Sequence, residues 1–343
     1  MPKPLHQFDR QELSTYLATH IDNFGELDEI ERFGGGQSNP TYRIVSGPHA
    51  YVLRAKPPGR LLSSAHQVDR EFRVLGALAD TPVPVPRVYH LSGEQNPLGT
   101  MFYVMEMLDG RIFWDPALPE LVLGERADVH DQICTELARL HAIDPASIGL
   151  ADFGAPGNYF SRQLRRWTKQ YRESADGYAA GIEHLIRWLE AHEPEDDGQV
   201  SIVHGDFRID NLVFSHDAET LIGILDWELC TLGHPIADLA YFCMCLRLPE
   251  KGVIKGLGKL DRTALGLPDE RAFVERYCAQ RRIDLPQDWA FALAFSFFRL
   301  IAIATGVIQR AQQGNATNPA SMTEMRQAVD NLTTLAIEVT QDR

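Results

Sequence analysis

The run HGDFRIDN at residues 204–211 has the spacing HxDxxxxN and follows a short apolar stretch at 201–203. Moving a phosphoryl group onto a hydroxyl needs a carboxylate that orients the hydroxyl and accepts its proton. It also needs an amide oxygen nearby that holds a metal on the nucleotide phosphates. Asp206 and Asn211 supply these groups in that order. Fifteen residues after Asn211, the apolar run 221–225 delivers Asp226, a second hard oxygen donor of the kind magnesium takes. Asp is common at strand ends for its turn chemistry alone, so no single acid carries the reading. The joint order of Asp, Asn and strand-borne Asp does. In the same run His204 reads as structural, holding the loop through hydrogen bonds, with Arg208 as further support and Asp210 as a solvated or helix-capping residue.

A nucleotide such as ATP also needs its phosphates covered, its charge met and its adenine hydrogen-bonded. The run FGGGQSN at 33–39 leads into an apolar-patterned segment. Backbone N–H groups at Gly35, Gly36, Gln37 and Asn39, together with the Ser38 hydroxyl, are placed to cover phosphate oxygens. Three glycines are also what any permissive turn contains, and the spacing is not GxGxxG. The next strand carries Arg54 and Lys56, which period-2 alternation puts on one face. Either can reach the phosphates while Glu71, on the following helix, pairs with it. The backbone at Glu106 and Leu108 is expected to form the hinge that meets adenine.

The elements that must position these residues follow from changes in hydrophobic period. Up to 108, a short helix near 10–20, paired strands at 42–45 and 50–55, a helix at 64–79 and a strand at 101–107 read as a mostly β lobe. From 109 onward the pattern is helical, near 120–143, 161–173, 180–192, 235–246, 269–282, 288–312 and 320–339, with short strands at 201–203 and 221–225. The expectation is an α+β, two-lobed protein-kinase-like fold, with a nucleotide-covering lobe at 1–108 and a catalytic, acceptor-binding lobe at 109–343, and a cleft between them.

The 343 residues, 44% hydrophobic, suffice for two packed lobes. The net charge of −14 argues against nucleic acid and anionic membrane as partners, which require a basic surface. Of that charge, the first 108 residues carry 10 basic against 12 acidic groups and the rest 23 against 35, so the acidity belongs to the second lobe. Five cysteines without a CxxC pair read as reduced core thiols rather than a disulfide framework or zinc site. The apolar segment 289–308 has Arg299 at its centre and reads as a buried core helix rather than a membrane span. The N-terminal stretch lacks the apolar core of a secretory signal, so the cytoplasm is the expected compartment.

The motifs FGGGQSNPTY, YVLRAKPPG, REFRVLGAL, VHGDFRIDNLVF and ILDWELCTLGHPIADLAYF together resemble the aminoglycoside phosphotransferase-like family of small-molecule kinases. More narrowly, they resemble the branch found fused to, or encoded near, acyl-CoA dehydrogenases. The resemblance implies ATP and magnesium as cofactors and a small-molecule hydroxyl as acceptor, with a functional link to an acyl-CoA dehydrogenase. It also implies Asp206 as catalytic base, Asn211 and Asp226 as magnesium ligands, and Asp238 as a structural carboxylate that pins the catalytic loop. Arg54 stands where most kinases have Lys, which keeps phosphate contact but changes its geometry. Asp226-Trp-Glu228 replaces Asp-Phe-Gly, and the short span 229–233 leaves no room for a phosphorylatable activation loop, so a constitutively assembled enzyme is expected.

The acceptor is less determined. An acidic second lobe suits a cationic aminoglycoside, whereas Arg162, Arg165, Arg166, Lys169 and Arg172 make a basic stripe on one helix face that suits an anionic acceptor such as a hydroxyacyl-CoA. The bland alternative is a solvated face paired with local acids. A pseudokinase that binds nucleotide without transfer is the reading from another class. It would be expected to lack one of Asp206, Asn211 and Asp226.

Overall fold

The computed structural model describes residues 8–34, 39–57, 67–155, 157–174, 180–252, 254–310, 312 and 321–341. The chain divides into two compact units, one made of residues 1–111, 148–150 and 212–230 and the other of 112–147, 151–211 and 231–343. A single boundary after 108 accounts for the bulk of the first unit but not for the segment 212–230, which carries Asp226 and packs with the N-terminal part of the chain.

The first unit holds helix α1 (Arg10–His20) and a five-stranded antiparallel sheet of β1 (Glu29–Arg32), β2 (Thr41–Ser46), β3 (His49–Ala55), β4 (Val88–Ser92) and β5 (Phe102–Glu106), in the order β1-β2-β3-β5-β4. Strand alternation decides where its chemistry lies. Tyr51, Leu53 and Ala55 of β3, with Phe102 and Val104 of β5, join Leu13 and Leu17 of α1 in one buried core. Arg54 and Tyr103, which face each other in the β3–β5 register, therefore point to the opposite side of the sheet. There lies α2 (Val68–Leu78), whose buried stripe of Val68, Leu75 and Leu78 includes Glu71. The hairpin of β8 (Leu212–Phe214) and β9 (Leu221–Ile224) completes the unit, and the turn Trp227–Leu229 packs against α2. Short strand β6 (Arg111–Ile112) adds to this hairpin at the unit boundary. In this unit β1, β4, β6 and β8 go beyond the segments expected as strands. β1 reads EIER and is exposed at three of four positions, so it shows no alternation to detect.

The second unit is helical, built from α3 (Leu123–Ala142), α4 (Tyr159–Ser174), α5 (Ala180–Ala191), α6 (Ile236–Arg247), α7 (Glu270–Arg281), α8 (Trp289–Arg310) and α9 (Ser321–Gln341). Two three-residue strands, β7 (Ser201–Val203) and β10 (Thr231–Gly233), pair antiparallel within it. Among the described residues α8 is one helix long and apolar enough to cross a membrane, but 78% of its apolar window is buried against α4, α6 and α9. All five cysteines are free and buried.

Candidate active site

The second unit builds the loop that carries Asp206. It leaves β7 at Val203 and turns at Gly205, whose φ of 86° suits glycine. Asp238, in the first turn of α6 and sealed from solvent, accepts from the backbone N–H groups of His204 (2.6 Å) and Gly205 (2.8 Å). Its third partner is His141 Nε2 at 3.2 Å, and His141 Nδ1 in turn accepts from the Tyr277 hydroxyl at 2.6 Å. Burial pushes the Asp238 carboxyl up, but these donors and the two neighbouring histidines outweigh it and hold it below its ordinary value. Burial pushes His141 down, which keeps it the neutral bridge between Tyr277 and Asp238. His204 is fully buried, and its Nδ1 accepts from the Asp206 N–H at 3.1 Å. From the far side, Arg299 of α8 donates through Nη2 to the Gly205 carbonyl.

Asp206 itself is about four-fifths buried and fixed from three directions. Oδ1 accepts from the Tyr241 hydroxyl (2.7 Å) and faces Arg208 Nε (3.1 Å), while Oδ2 accepts from Asn211 Nδ2 (3.0 Å). Arg208 also meets Asp210 at 3.3 Å. Asn211 Nδ2 donates a second bond to the Asp206 carbonyl at 2.8 Å. Both neighbours are acceptors, so the amide nitrogen must face them, and Oδ1 is not engaged by Asp206.

The first unit builds a separate centre around Arg54. Its Nε lies 2.8 Å from Glu71 Oε2, and its Nη2 lies 2.7 Å from Asp226 Oδ1 and 3.3 Å from Glu228 Oε2. Glu71 also accepts from Asn39 Nδ2 (2.8 Å) and the Tyr103 hydroxyl (3.0 Å). Even so, burial and the nearby Asp226 charge push the Glu71 carboxyl up to about 7 against the pull of Arg54 and these donors. Burial opposes the Arg54 charge, but the three surrounding carboxylates hold its pKa above the ordinary value. Asp226 adopts a left-handed backbone, φ 64° and ψ 62°, directly after β9, and the turn behind it is anchored by Trp227 Nε1 donating to the Ile224 carbonyl. That conformation is uncommon for a residue with a side chain and marks a site held by its surroundings.

The remaining sequence candidates fall as follows. Lys56 lies one residue past the end of β3, its N–H donating to the Met101 carbonyl, so it is not on the strand with Arg54. Gly35, Gly36, Gln37 and Ser38 lie outside the described residues. Glu106 ends β5, and its carboxylate accepts from the Arg87 N–H. The end of the Leu108 side chain lies over Gly223 of β9. Among the described residues no cluster of three or more His, Cys, Asp or Glu could hold a metal by itself.

The basic stripe on α4 does not act as one patch. Arg172 pairs with Glu183 (2.9 Å) and Lys169 with Glu173 (3.8 Å), while Arg165 donates to Ser161 Oγ and Arg162 to the Ala155 carbonyl. Arg165, Lys169 and Arg172 border a groove of about 510 Å³ that Glu173, Glu190 and Glu193 also line. A second cavity, of about 540 Å³, carries Glu193, Glu195, Asp196, Asp197, Asp284 and Asp288.

Sequence reasoning missed His141, Tyr277 and Tyr241, whose role depends on tertiary neighbours. It met Arg299 only as a lone cation in an apolar run, which is the signal that a buried partner exists.

The family model described as "Phosphotransferase enzyme family" matches residues 29–295. The chain is 41% identical over 307 residues to acyl-CoA dehydrogenase family member 10 of Mus musculus, covering 89% of this chain and 28% of that protein. It is 40% identical over 324 residues to acyl-CoA dehydrogenase family member 11 of Rattus norvegicus, covering 93% of this chain and 42% of that protein. The chain thus spans less than half the length of these relatives. A crystal structure from Ralstonia eutropha, of a protein provisionally named an aminoglycoside phosphotransferase, superposes with a TM-score of 0.86 at 38% identity over 98% of this chain and 99% of that one. A spectinomycin phosphotransferase solved with ADP and spectinomycin gives a TM-score of 0.65 at 13% identity, over 98% of this chain and 100% of that one, a likeness of fold alone. The fold class is therefore α+β of the two-lobed kinase-like type, with a mainly β N-terminal and a mainly α C-terminal part.

Proposed function

The chain belongs to the phosphotransferase enzyme family, and from that premise we propose that it moves the terminal phosphoryl group of ATP, held as its magnesium complex, onto the hydroxyl of a small molecule. The observation that carries this reading is the fixing of Asp206. Tyr241 and Arg208 occupy its Oδ1, whereas among the described residues Oδ2 takes the Asn211 donor alone and keeps capacity for an incoming hydroxyl. As the acceptor oxygen bonds to the γ-phosphorus, the bond from phosphorus to the β,γ-bridging oxygen breaks and ADP leaves. The hydroxyl proton passes to Asp206 Oδ2. Arg54 supports the reading from the nucleotide side, because its guanidinium is fixed by Glu71 and presents a permanent cation for phosphate oxygens.

The residues fit magnesium by the chemistry of their donors. Asn211 turns its amide nitrogen to Asp206 and so keeps its oxygen from that contact, and around Asp226 three carboxylates share one guanidinium, an excess of negative charge that a hard cation relieves. Asn211 and Asp226 would hold the ion, two protein donors being what magnesium takes when phosphates and water supply the rest. When bound, it neutralises charge on the phosphate oxygens.

For the acceptor we propose a hydroxylated anion, a hydroxyacyl-CoA being the example that the relatives' names and the cations of α4 support, with a functional link to an acyl-CoA dehydrogenase. A cationic acceptor such as an aminoglycoside is the second reading, favoured by the acid-lined cavity of about 540 Å³. The test is a transfer screen with magnesium ATP against pooled hydroxylated metabolites that include hydroxyacyl-CoA thioesters and aminoglycosides. A phosphorylated product formed by the wild type and not by Asp206→Asn supports the reading. Nucleotide binding with no transfer to any pool would instead favour a scaffold.

A further inference from the structure

Arg166 is the member of the α4 stripe that behaves differently from its neighbours. Its guanidinium sits 5.0 Å from the centre of the Trp167 ring rather than against an acid. Arg299 of α8 approaches the same ring at 5.8 Å and also lies 5.3 Å from the centre of the Tyr241 ring. Arg299 is 6% exposed, and its one hydrogen bond among the described residues is from Nη2 to the Gly205 carbonyl. No carboxylate of a described residue pairs with either guanidinium. In the same unit Arg208 has Asp206 and Asp210, and Arg247 has Glu270. A nearly sealed cation without a counter-charge is costly unless something compensates it. Here two aromatic faces and one carbonyl do so in part.

We propose that Arg166 and Arg299, gathered on the Trp167 ring, form an anion-binding subsite that holds the carboxylate or phosphate of the acceptor. The position favours this role. Arg299 contacts the carbonyl of Gly205, the residue before Asp206, and the ring of Tyr241, whose hydroxyl donates to Asp206 Oδ1. Arg299 is therefore one aromatic side chain away from the carboxylate that receives the hydroxyl. The Trp167 indole N–H, buried and without a partner among the described residues, adds a donor on the same ring. Burial and the charge of Arg299 both lower the pKa of Arg166, the sign of two cations that lack an anion between them. The subsite is separate from the groove beside Arg165, Lys169 and Arg172, where Lys169 already meets Glu173 and Arg172 meets Glu183.

The inference rests on the proposed transfer reaction but is testable apart from it. With the nucleotide site filled by magnesium ADP, calorimetry measures binding of three probes of equal chain length: a linear hydroxycarboxylate, the matching diol and the matching amino alcohol. The expected result is that the hydroxycarboxylate binds best, that Arg166→Gln weakens it about tenfold, the loss of one charged hydrogen-bond partner, and that Arg166→Lys restores most of the affinity. Arg299→Lys serves as the second variant, its folding checked by thermal unfolding, and is expected to weaken the same probe while leaving the diol unchanged. If magnesium ADP itself does not bind, the proposed function fails. If it binds but the three probes are indistinguishable, the amino alcohol is preferred, or Arg166→Gln matches wild type, the subsite is wrong, with preference for the amino alcohol assigning the acceptor to the acid-lined cavity.

Discussion

Glu71 in the first unit and Asp238 in the second are both carboxylates sealed from solvent, at 1% and 0% exposure, yet their pKa values move in opposite directions. Burial raises both, so the difference lies in what each acid shares. Asp238 accepts from two backbone N–H groups and a histidine, all directed at it alone. Glu71 shares its one cation with Asp226 and Glu228, and the Asp226 charge works against it. A donor set aimed at a single carboxylate makes a fixed anchor, while a cation divided among three acids makes a centre with surplus negative charge. The anchor holds the loop that does chemistry, and the surplus sits where a metal and phosphates are proposed to bind.

The sharpest break between the two centres is expected from Asp206 and Asp226. Asp206→Asn should lower transfer by about 10²–10⁴-fold, the range for losing a general base, while leaving the affinity for magnesium nucleotide within a few-fold. Asp226→Ala should do the reverse to binding, weakening magnesium-dependent nucleotide affinity by about 10–100-fold, as loss of a metal-site group does. Paired calorimetry and steady-state kinetics check both. Retained turnover in Asp206→Asn, or unchanged nucleotide affinity in Asp226→Ala, would reverse the division of labour drawn here.

Next in size is the anchor. Asp238→Ala leaves the N–H groups of His204 and Gly205 and the His141 ring without their acceptor inside a sealed site. The expected loss is about 3–5 kcal/mol of folding free energy, the cost of breaking a buried charged network. Urea unfolding measures it. A loss under about 1 kcal/mol, the scale of one ordinary hydrogen bond, would mean the loop is held elsewhere, for instance through Arg299.

What could be read from sequence follows the same division. Asp206, Asn211 and Asp226 sit in short-range patterns, a fixed loop spacing and an acid at a strand end, whereas period-2 alternation put Arg54 and Lys56 on one face and did not choose between them as the partner of Glu71, which is Arg54. His141 lies 97 residues from Asp238 and Tyr277 lies 136 from His141, so nothing local announces either partner. The α4 stripe was visible as spacing, but the acid that meets Arg172 comes from α5, a tertiary fact that changes its meaning. The assignment of 212–230 to the first unit escaped for the same reason, since a hairpin carries no mark of which sheet or helix it will pack on.

A smaller effect tests which cation belongs to the surplus centre. Arg54→Ala should reduce kcat/KM about tenfold or more, the size of one charged hydrogen-bond partner, whereas Lys56→Ala should change it by less. The reason is placement: Arg54 is fixed by Glu71 across the sheet, while Lys56 lies past the end of β3. The opposite ranking in steady-state kinetics would transfer the phosphate contact to Lys56 and leave Arg54 as a strut for Glu71 and Asp226.

The mildest expectation concerns pH and sets Glu71 directly against Asp238. A carboxyl whose folded pKa is raised keeps a proton that the unfolded chain has lost, so the folded state binds more protons between the two values and stability falls as pH rises there. For Glu71 that window runs from its ordinary 4.5 to about 7. Asp238, held below its ordinary 3.8, has the other sign, and its contribution is lost only as pH falls below that value. The slope from one group is at most about 1.4 kcal/mol per pH unit. Between pH 5 and 7 the stability of the wild type relative to Glu71→Gln, which cannot titrate and keeps similar volume, should therefore fall as pH rises in urea unfolding without nucleotide, the opposite contribution of the buried His130 and His141 being common to both proteins. An unchanged slope in Glu71→Gln would show that the pairing with Arg54 keeps Glu71 ionised throughout, and that both buried acids are anchors of one kind.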